Sequence, residues 1–246
     1  MACFVPFNNK NLDISIFAFR PTVVLVDELI ETLKHFSTCT ERLGCVLSSI
    51  FQSIHGNMII WYGAWIKRSS ENEERLTETL QSMLTNTSSM AILIESCFFD
   101  AYAGESWDGS SAAKFSEGDI LSMNMIVLPK AGNISDLSYA NLALFRCRFR
   151  KMEGAASGVC MNCHSGRRVA CLYVWKSLQF CYSWILNSDF KRAMLPYLER
   201  FTLHDVKYDI FRVVYVSTDD DTSLSYQHLS LGQVFEKEGK SRKEEQ

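Results

Sequence analysis

Twice within the first hundred residues the spacing of apolar side chains switches from two to about 3.6 and back, and this alternation limits the fold more than any other feature. Leu12, Ile14, Ile16 and Ala18 alternate with Asp13, Ser15, Phe17 and Phe19, a strand covered on much of both faces that stops at Pro21. Val26, Leu29, Ile30, Leu33 and Phe36 then recur at helical spacing. Two β-prone runs, Gly44 to Gln52 and Met58 to Lys67, flank the turn-forming stretch Ser53-Ile54-His55-Gly56-Asn57 and predict a hairpin. Ser70-Glu71-Asn72-Glu73 has the form of a capping box, and Leu76, Leu80, Met83 and Leu84 supply the apolar stripe behind it. With a strand from Ser89 to Phe99 the order is βαββαβ, that of a ferredoxin-like α+β sandwich.

Beyond a Gly- and Ser-rich loop at residues 100–113, Phe115 to Leu128 reads as a strand or an interrupted pair. A seam between Pro129 and Ser138 would divide residues 1–130 from a second α+β part, 131–218. There Ala143, Phe145, Cys147 and Phe149 alternate with Leu144, Arg146, Arg148 and Arg150, which predicts a strand with a basic outer face over Asn141 to Lys151. A loop follows at Glu153 to Arg167, then a strand at Val169 to Trp175, a helix at Lys176 to Leu186, and a helix capped by Ser188 and interrupted by Pro196. Tyr208 to Ser217 is a last strand. Residues 219–246 are charged and polar and are expected to be a disordered tail. No internal repeat is visible.

The chain has 246 residues, 47% apolar and 22% charged, the balance of a globular protein. No export signal opens it, and no apolar run approaches the roughly 20 residues that cross a bilayer, so the expectation is a cytoplasmic or nuclear protein, neither secreted nor membrane-bound. Nine cysteines without such a signal predict reduced thiols. On the same ground the sequons at Asn86 and Asn133 are set aside. Net charge is −3, yet Arg146 to Lys176 carries seven basic residues against Glu153 alone. Arg146, Arg148, Arg150, Lys151, Arg167 and Arg168 are therefore the candidate contacts to nucleic acid or another polyanion.

Three long phrases, Ile54 to Gly63, Val174 to Ser188 and Tyr208 to Val216, resemble a family of plant proteins defined as a domain of unknown function, over most of the chain. The resemblance rests on apolar phrases and brings no activity, ligand or site.

No phosphate-binding, dinucleotide-binding, zinc-protease or nucleophile-elbow motif is present. His35, His55, His204 and His228 stand isolated. One compact cluster remains: Cys160-Met161-Asn162-Cys163-His164, with Cys171 beyond. Its pattern admits c-type haem attachment, a redox dithiol, a zinc site at Cys160, Cys163, His164 and Cys171, or ordinary thiols, the last being the default. Loop residues 103–110 combine two carboxylates, a hydroxyl and an indole as a sugar or nucleotide pocket would, or as any solvated loop does, and Trp175, Phe180, Tyr182 and Trp184 have the spacing of a cofactor groove or, as the default, of a core-facing helix. The leading reading is a non-catalytic binding or scaffolding protein with an unidentified protein partner and no cofactor. Beside it stand a zinc-stabilised polyanion binder and an enzyme whose site is assembled from distant residues.

Overall fold

The computed structural model describes residues 2–8, 11–128, 133–165, 167–186 and 205–217. The tail after Asp219, the helix expected from Ser188, and residues 129–132 of the seam lie outside them. Among the described residues the strands are β1 (Ala2–Pro6), β2 (Leu12–Pro21), β3 (Cys45–Ser53), β4 (Ile59–Ile66), β5 (Ala91–Ser106), β6 (Ala112–Ser116), β7 (Ile120–Val127), β8 (Ala155–Cys163), β9 (Arg168–Trp175) and β10 (Asp205–Val216). The helices are α1 (Val26–Glu41), α2 (Ser70–Met83), α3 (Ile134–Phe149) and α4 (Leu178–Leu186). The βαββαβ order of the first hundred residues is present as expected, and it occurs twice. β2-α1-β3-β4-α2-β5 is followed by β7-α3-β8-β9-α4-β10, an internal repeat the sequence did not disclose.

The eight strands of the two repeats close into one antiparallel barrel in the order β10-β3-β4-β2-β5-β8-β9-β7. Closure depends on two cross-repeat pairings, β5 with β8 and β10 with β3, which leave the barrel itself no unpaired edge. Inward residues such as Ile14, Ile16, Ile60, Phe99, Leu121, Leu172 and Val213 form one buried cluster. The two-stranded ribbon β1–β6 packs into that cluster through Cys3, Val5, Ala113 and Phe115. Phe115 meets Phe51 and Tyr62 edge-on at 5.4 and 5.9 Å, and the Tyr62 hydroxyl donates to the Phe4 carbonyl at 3.0 Å.

The helices cover the outside, where each repeat carries the same device. The Trp65 indole N–H donates to the Ser15 hydroxyl at 2.8 Å, and that of Trp175 donates to the Ser122 hydroxyl at 2.8 Å. Ser15 pairs with Gly63 and Ser122 with Tyr173, so each tryptophan lies two residues beyond its serine's partner. Under α1 and α2, Phe36 and Trp61 are 4.8 Å apart at 70°, and the Trp61 N–H reaches Ser37.

Three expectations are corrected. Asn141 to Lys151 is not a strand, because Leu137, Asn141, Phe145 and Phe149, four apart, are the buried side of α3. A four-residue spacing satisfies period two and period 3.6 alike. The local capping decides: the Asn133 side chain accepts the Ser135 N–H at 2.9 Å, and Asp136 and Arg146 complement the helix dipole. Residues 153–167 are not a loop but contain β8, whose small residues mark close approach. A Cβ on Gly158 would lie 2.8 Å from both Phe145 and Tyr173. The thiols are not all reduced, since Cys97 of β5 and Cys163 of β8 form a disulfide inside the barrel.

Two outcomes follow from this packing. Ser15→Ala and Ser122→Ala each leave a buried indole N–H without an acceptor and should each cost about 1–3 kcal/mol in urea unfolding. Peptide mapping without reductant should recover a Cys97–Cys163 linked pair, and reduction should lower stability by about 2–4 kcal/mol, because the bridge closes a loop of 66 residues.

Candidate active site

Inward positions alternate along every strand, so each strand end delivers a side chain to the barrel mouth. At the end of β2 this is Arg20, on β5 Glu95, on β9 Arg168 and on β10 Asp209. Beneath them is a cavity of about 360 Å³ walled by Ile16, Ala18, Met58, Ile60, Ile94, Met123, Met125 and Phe211, with Arg20, Glu95 and Asp209 as its charged members. None of its lining comes from β1 or β6. The ribbon thus fills another part of the interior.

The four charged side chains are not equivalent. Glu95 is buried, and its Oε1 is 2.9 Å from Nη1 of Arg168. The same guanidinium group lies 3.9 Å from the Cys97 sulfur, and its Nε is buried without a hydrogen-bond partner. Asp209 accepts the Ile210 N–H at 2.7 Å, and it has no ion pair among the described residues. Arg20 is exposed and likewise has none. Among the described residues the mouth therefore offers one tied acid and base, one carboxylate without a counter-ion and one guanidinium without one.

The β3–β4 turn borders the same end. Its Gly56 backbone sits where a Cβ would be 2.9 Å from both the Asp209 carboxylate and the Ser53 hydroxyl, so any larger residue would displace that carboxylate. The Gly56 N–H donates to Ser53 at 2.7 Å, Asn57 donates to the Pro21 carbonyl at 2.7 Å, and His55 hydrogen-bonds Tyr182 of α4.

The four donors of the zinc expectation do not converge. Cys160 and Cys163, three apart on a strand, face opposite sides of β8, which also prevents both from holding one porphyrin. Cys160 lies directly opposite Cys171 with the sulfurs 3.2 Å apart beneath α3, where Asn141 donates to Cys171. Burial, and then the neighbouring sulfur, pushes the Cys160 thiol up. Burial likewise raises the nearby Tyr102 phenol. Cys163 is in the disulfide, and His164 turns outward to Glu73, Asp13 and Asp100.

The basic residues are dispersed as well. Arg146 is exposed on α3 and Arg148 half-buried there, Arg150 pairs with Glu105 at 3.2 Å, Lys151 and Arg167 are exposed, and Arg168 belongs to the mouth. In the residue 103–110 segment, the Ser106 hydroxyl and then the Ser110 N–H hold the Asp108 carboxyl down at about 2, and Trp107 lies 6.1 Å from Phe149. His35 contacts Cys39, while His204 and His228 lie outside the described residues. Trp175 is core, whereas Phe180 is exposed against Gly154. The mouth residues Arg20, Glu95 and Asp209 escaped the sequence reading. Their one signal is a charge at an inward position of an otherwise apolar strand.

Residues 97–211 match a domain of unknown function (DUF7392). No curated protein matches the sequence. Among solved structures the chain is similar to an anthrone oxidase-like protein, at 15% identity and TM-score 0.71 over 87% of this chain and 96% of that one. A putative monooxygenase from Fusobacterium nucleatum follows at 10% identity and TM-score 0.58, over 85% and 95%. A putative chlorite dismutase follows at 11% and 0.51, over 84% and 96%. These likenesses establish the α+β fold. They also correct the expectation of a non-catalytic binding or scaffolding protein, because the architecture is one shared with chains named as enzymes. Among the described residues no helix is long and apolar enough to cross a membrane.

Removing one partner of the Glu95–Arg168 pair strands a buried charge. Arg168→Met should cost about 2 kcal/mol in chemical unfolding, reduced from the 3–5 of a fully buried pair because Arg168 is 31% exposed. Glu95→Gln with Arg168→Met should recover most of that loss.

Proposed function

We propose that the protein is an enzyme that oxidises a small, largely apolar carbonyl compound or phenol with molecular oxygen, binding it in the barrel cavity. The observation that carries this reading is the pairing of an apolar chamber with Asp209 and Arg20, two opposite charges on its wall with no ion pair among the described residues. Chambers of this kind, apolar with a few convergent polar groups, suit substrate binding. Kinship of fold with an anthrone oxidase-like protein supports the choice of chemistry.

Asp209 takes the proton of an acidic C–H or O–H group, and the Gly56 backbone beside it leaves room for that carboxylate. Arg20 holds the anion so formed, while the apolar wall excludes water and keeps that charge effective. The anion is electron-rich enough to reduce oxygen. For a methylene next to a carbonyl group, oxygen is bonded to the carbon, the peroxide formed takes back a proton, and water leaves. One oxygen atom stays in the new C=O, the other departs as water, and the two substrate hydrogens are accounted for. Among the described residues the lining holds thioethers and Arg, Glu and Asp but no His, Cys or Tyr, and no step is routed through a haem iron.

Oxygen uptake by the purified protein on a panel of hydroxyanthrones and planar phenolic ketones tests this. Turnover is expected, falling about 10²–10⁴-fold in Asp209→Asn. Arg20→Met should raise KM for anionic members of the panel. A folded protein that takes up no oxygen, and whose tryptophan fluorescence responds to no member of the panel, overturns the reading.

A further inference from the structure

At the other end of β2, outside the barrel, a second polar cluster joins both repeats. Asp13 is the second residue of β2, Asp100 is on β5, His164 follows β8 and Glu73 is in the first turn of α2. The ring nitrogens of His164 are divided between them: Nδ1 is 2.9 Å from Glu73, and Nε2 is 3.3 Å from Asp100 Oδ2 and 3.8 Å from Asp13 Oδ1. The donor atoms of Asp13, Asp100 and His164 all lie within 4.8 Å of one another. Asp13 is 3% exposed, and its Oδ1, directed into the cluster, is ion-paired with the Lys67 ammonium group at 3.2 Å without a well-formed hydrogen bond.

We propose that Asp13, Asp100 and His164 bind one divalent metal ion of the kind that takes mixed nitrogen and oxygen ligands, manganese or zinc. A metal-bound histidine characteristically gives its other N–H to a carboxylate, which fixes the tautomer and aims the free lone pair at the metal. Glu73 does this for His164. One imidazole and two carboxylates are the ligand types that suit these ions and leave positions for water. Charge points the same way, since three carboxylates against the single ammonium group of Lys67 leave two negative charges, one of them buried. Lys67 now stands 2.7 Å from Asp100 and 3.2 Å from Asp13. Being 39% exposed, it swings to solvent as the ion enters. Arg20 is seven residues along β2, roughly 23 Å away at 3.3 Å per residue, so this site is separate from the cavity and clamps the repeats together.

Manganese is the probe, because the thiols elsewhere in the chain compete poorly for it. Titration of chelator-treated full-length protein followed by electron paramagnetic resonance should give saturable binding of one ion per chain, with nitrogen modulation in the spin echo. Asp13→Asn and Asp100→Asn should each weaken binding more than tenfold, Glu73→Gln by about 10–100-fold, and His164→Gln should abolish the nitrogen signal. Asp100 is half-exposed and keeps the test valid if the buried Asp13 variant does not fold. Absence of saturable binding, or binding indifferent to Asp100→Asn and His164→Gln, would overturn the proposal and leave an imidazole–carboxylate network alone.

Discussion

Hydrogen bonding between β5 and β8, and between β10 and β3, is what the rest of the molecule depends on. A single βαββαβ unit has a sheet with one face under helices and the other face bare. Pairing the outer strands of two such units turns both bare faces inward, so that one core serves both and every edge is consumed. The enclosed chamber, its charged mouth and the interior disulfide all exist only because of that closure. So does the outward cluster around His164, whose members come from both units.

The first unit was legible because its periods are long and unambiguous. Val26 to Phe36 can only be a helix face, and the hairpin around Gly56 has turn residues between two apolar runs. The second unit was misread where local signals are degenerate. Phe145 and Phe149 fit either period, and the glycines of β8 look like loop residues until Phe145 and Tyr173 are known to press on them. Those two errors concealed the duplication. A comparison of Ile14-Ser15-Ile16 with Leu121-Ser122-Met123, and of Gly63-Ala64-Trp65 with Tyr173-Val174-Trp175, would have exposed it, because each pair supplies the same serine–tryptophan hydrogen bond.

Site residues were harder to read for a related reason. Cys160, Cys163 and His164 are adjacent in sequence, but a strand sends neighbours to opposite faces, so closeness along the chain predicts separation in space. His164 instead joins residues 91 and 151 positions earlier, Glu73 and Asp13. Glu73 itself was read as half of a capping box. The cap residue is Ser69, with no side-chain hydrogen bond, and the Glu73 carboxylate is directed at the imidazole. Arg20, Glu95 and Asp209 converge only when three distant strands are curled around one axis.

The matched tryptophan–serine pairs also set the two units in register at the mouth, and there the correspondence breaks. Arg20 on β2, next to Met58 at the adjoining position, corresponds to Val127 on β7, which pairs with Arg168. Each unit thus contributes one arginine and one apolar residue to equivalent places, but in exchanged order. An assembly of two identical chains would have to repeat every rim residue and could tell a ligand's head from its tail only by chance. Fusing the halves into one polypeptide lifts that obligation. The rim becomes lopsided, and a molecule entering it has a single preferred way round.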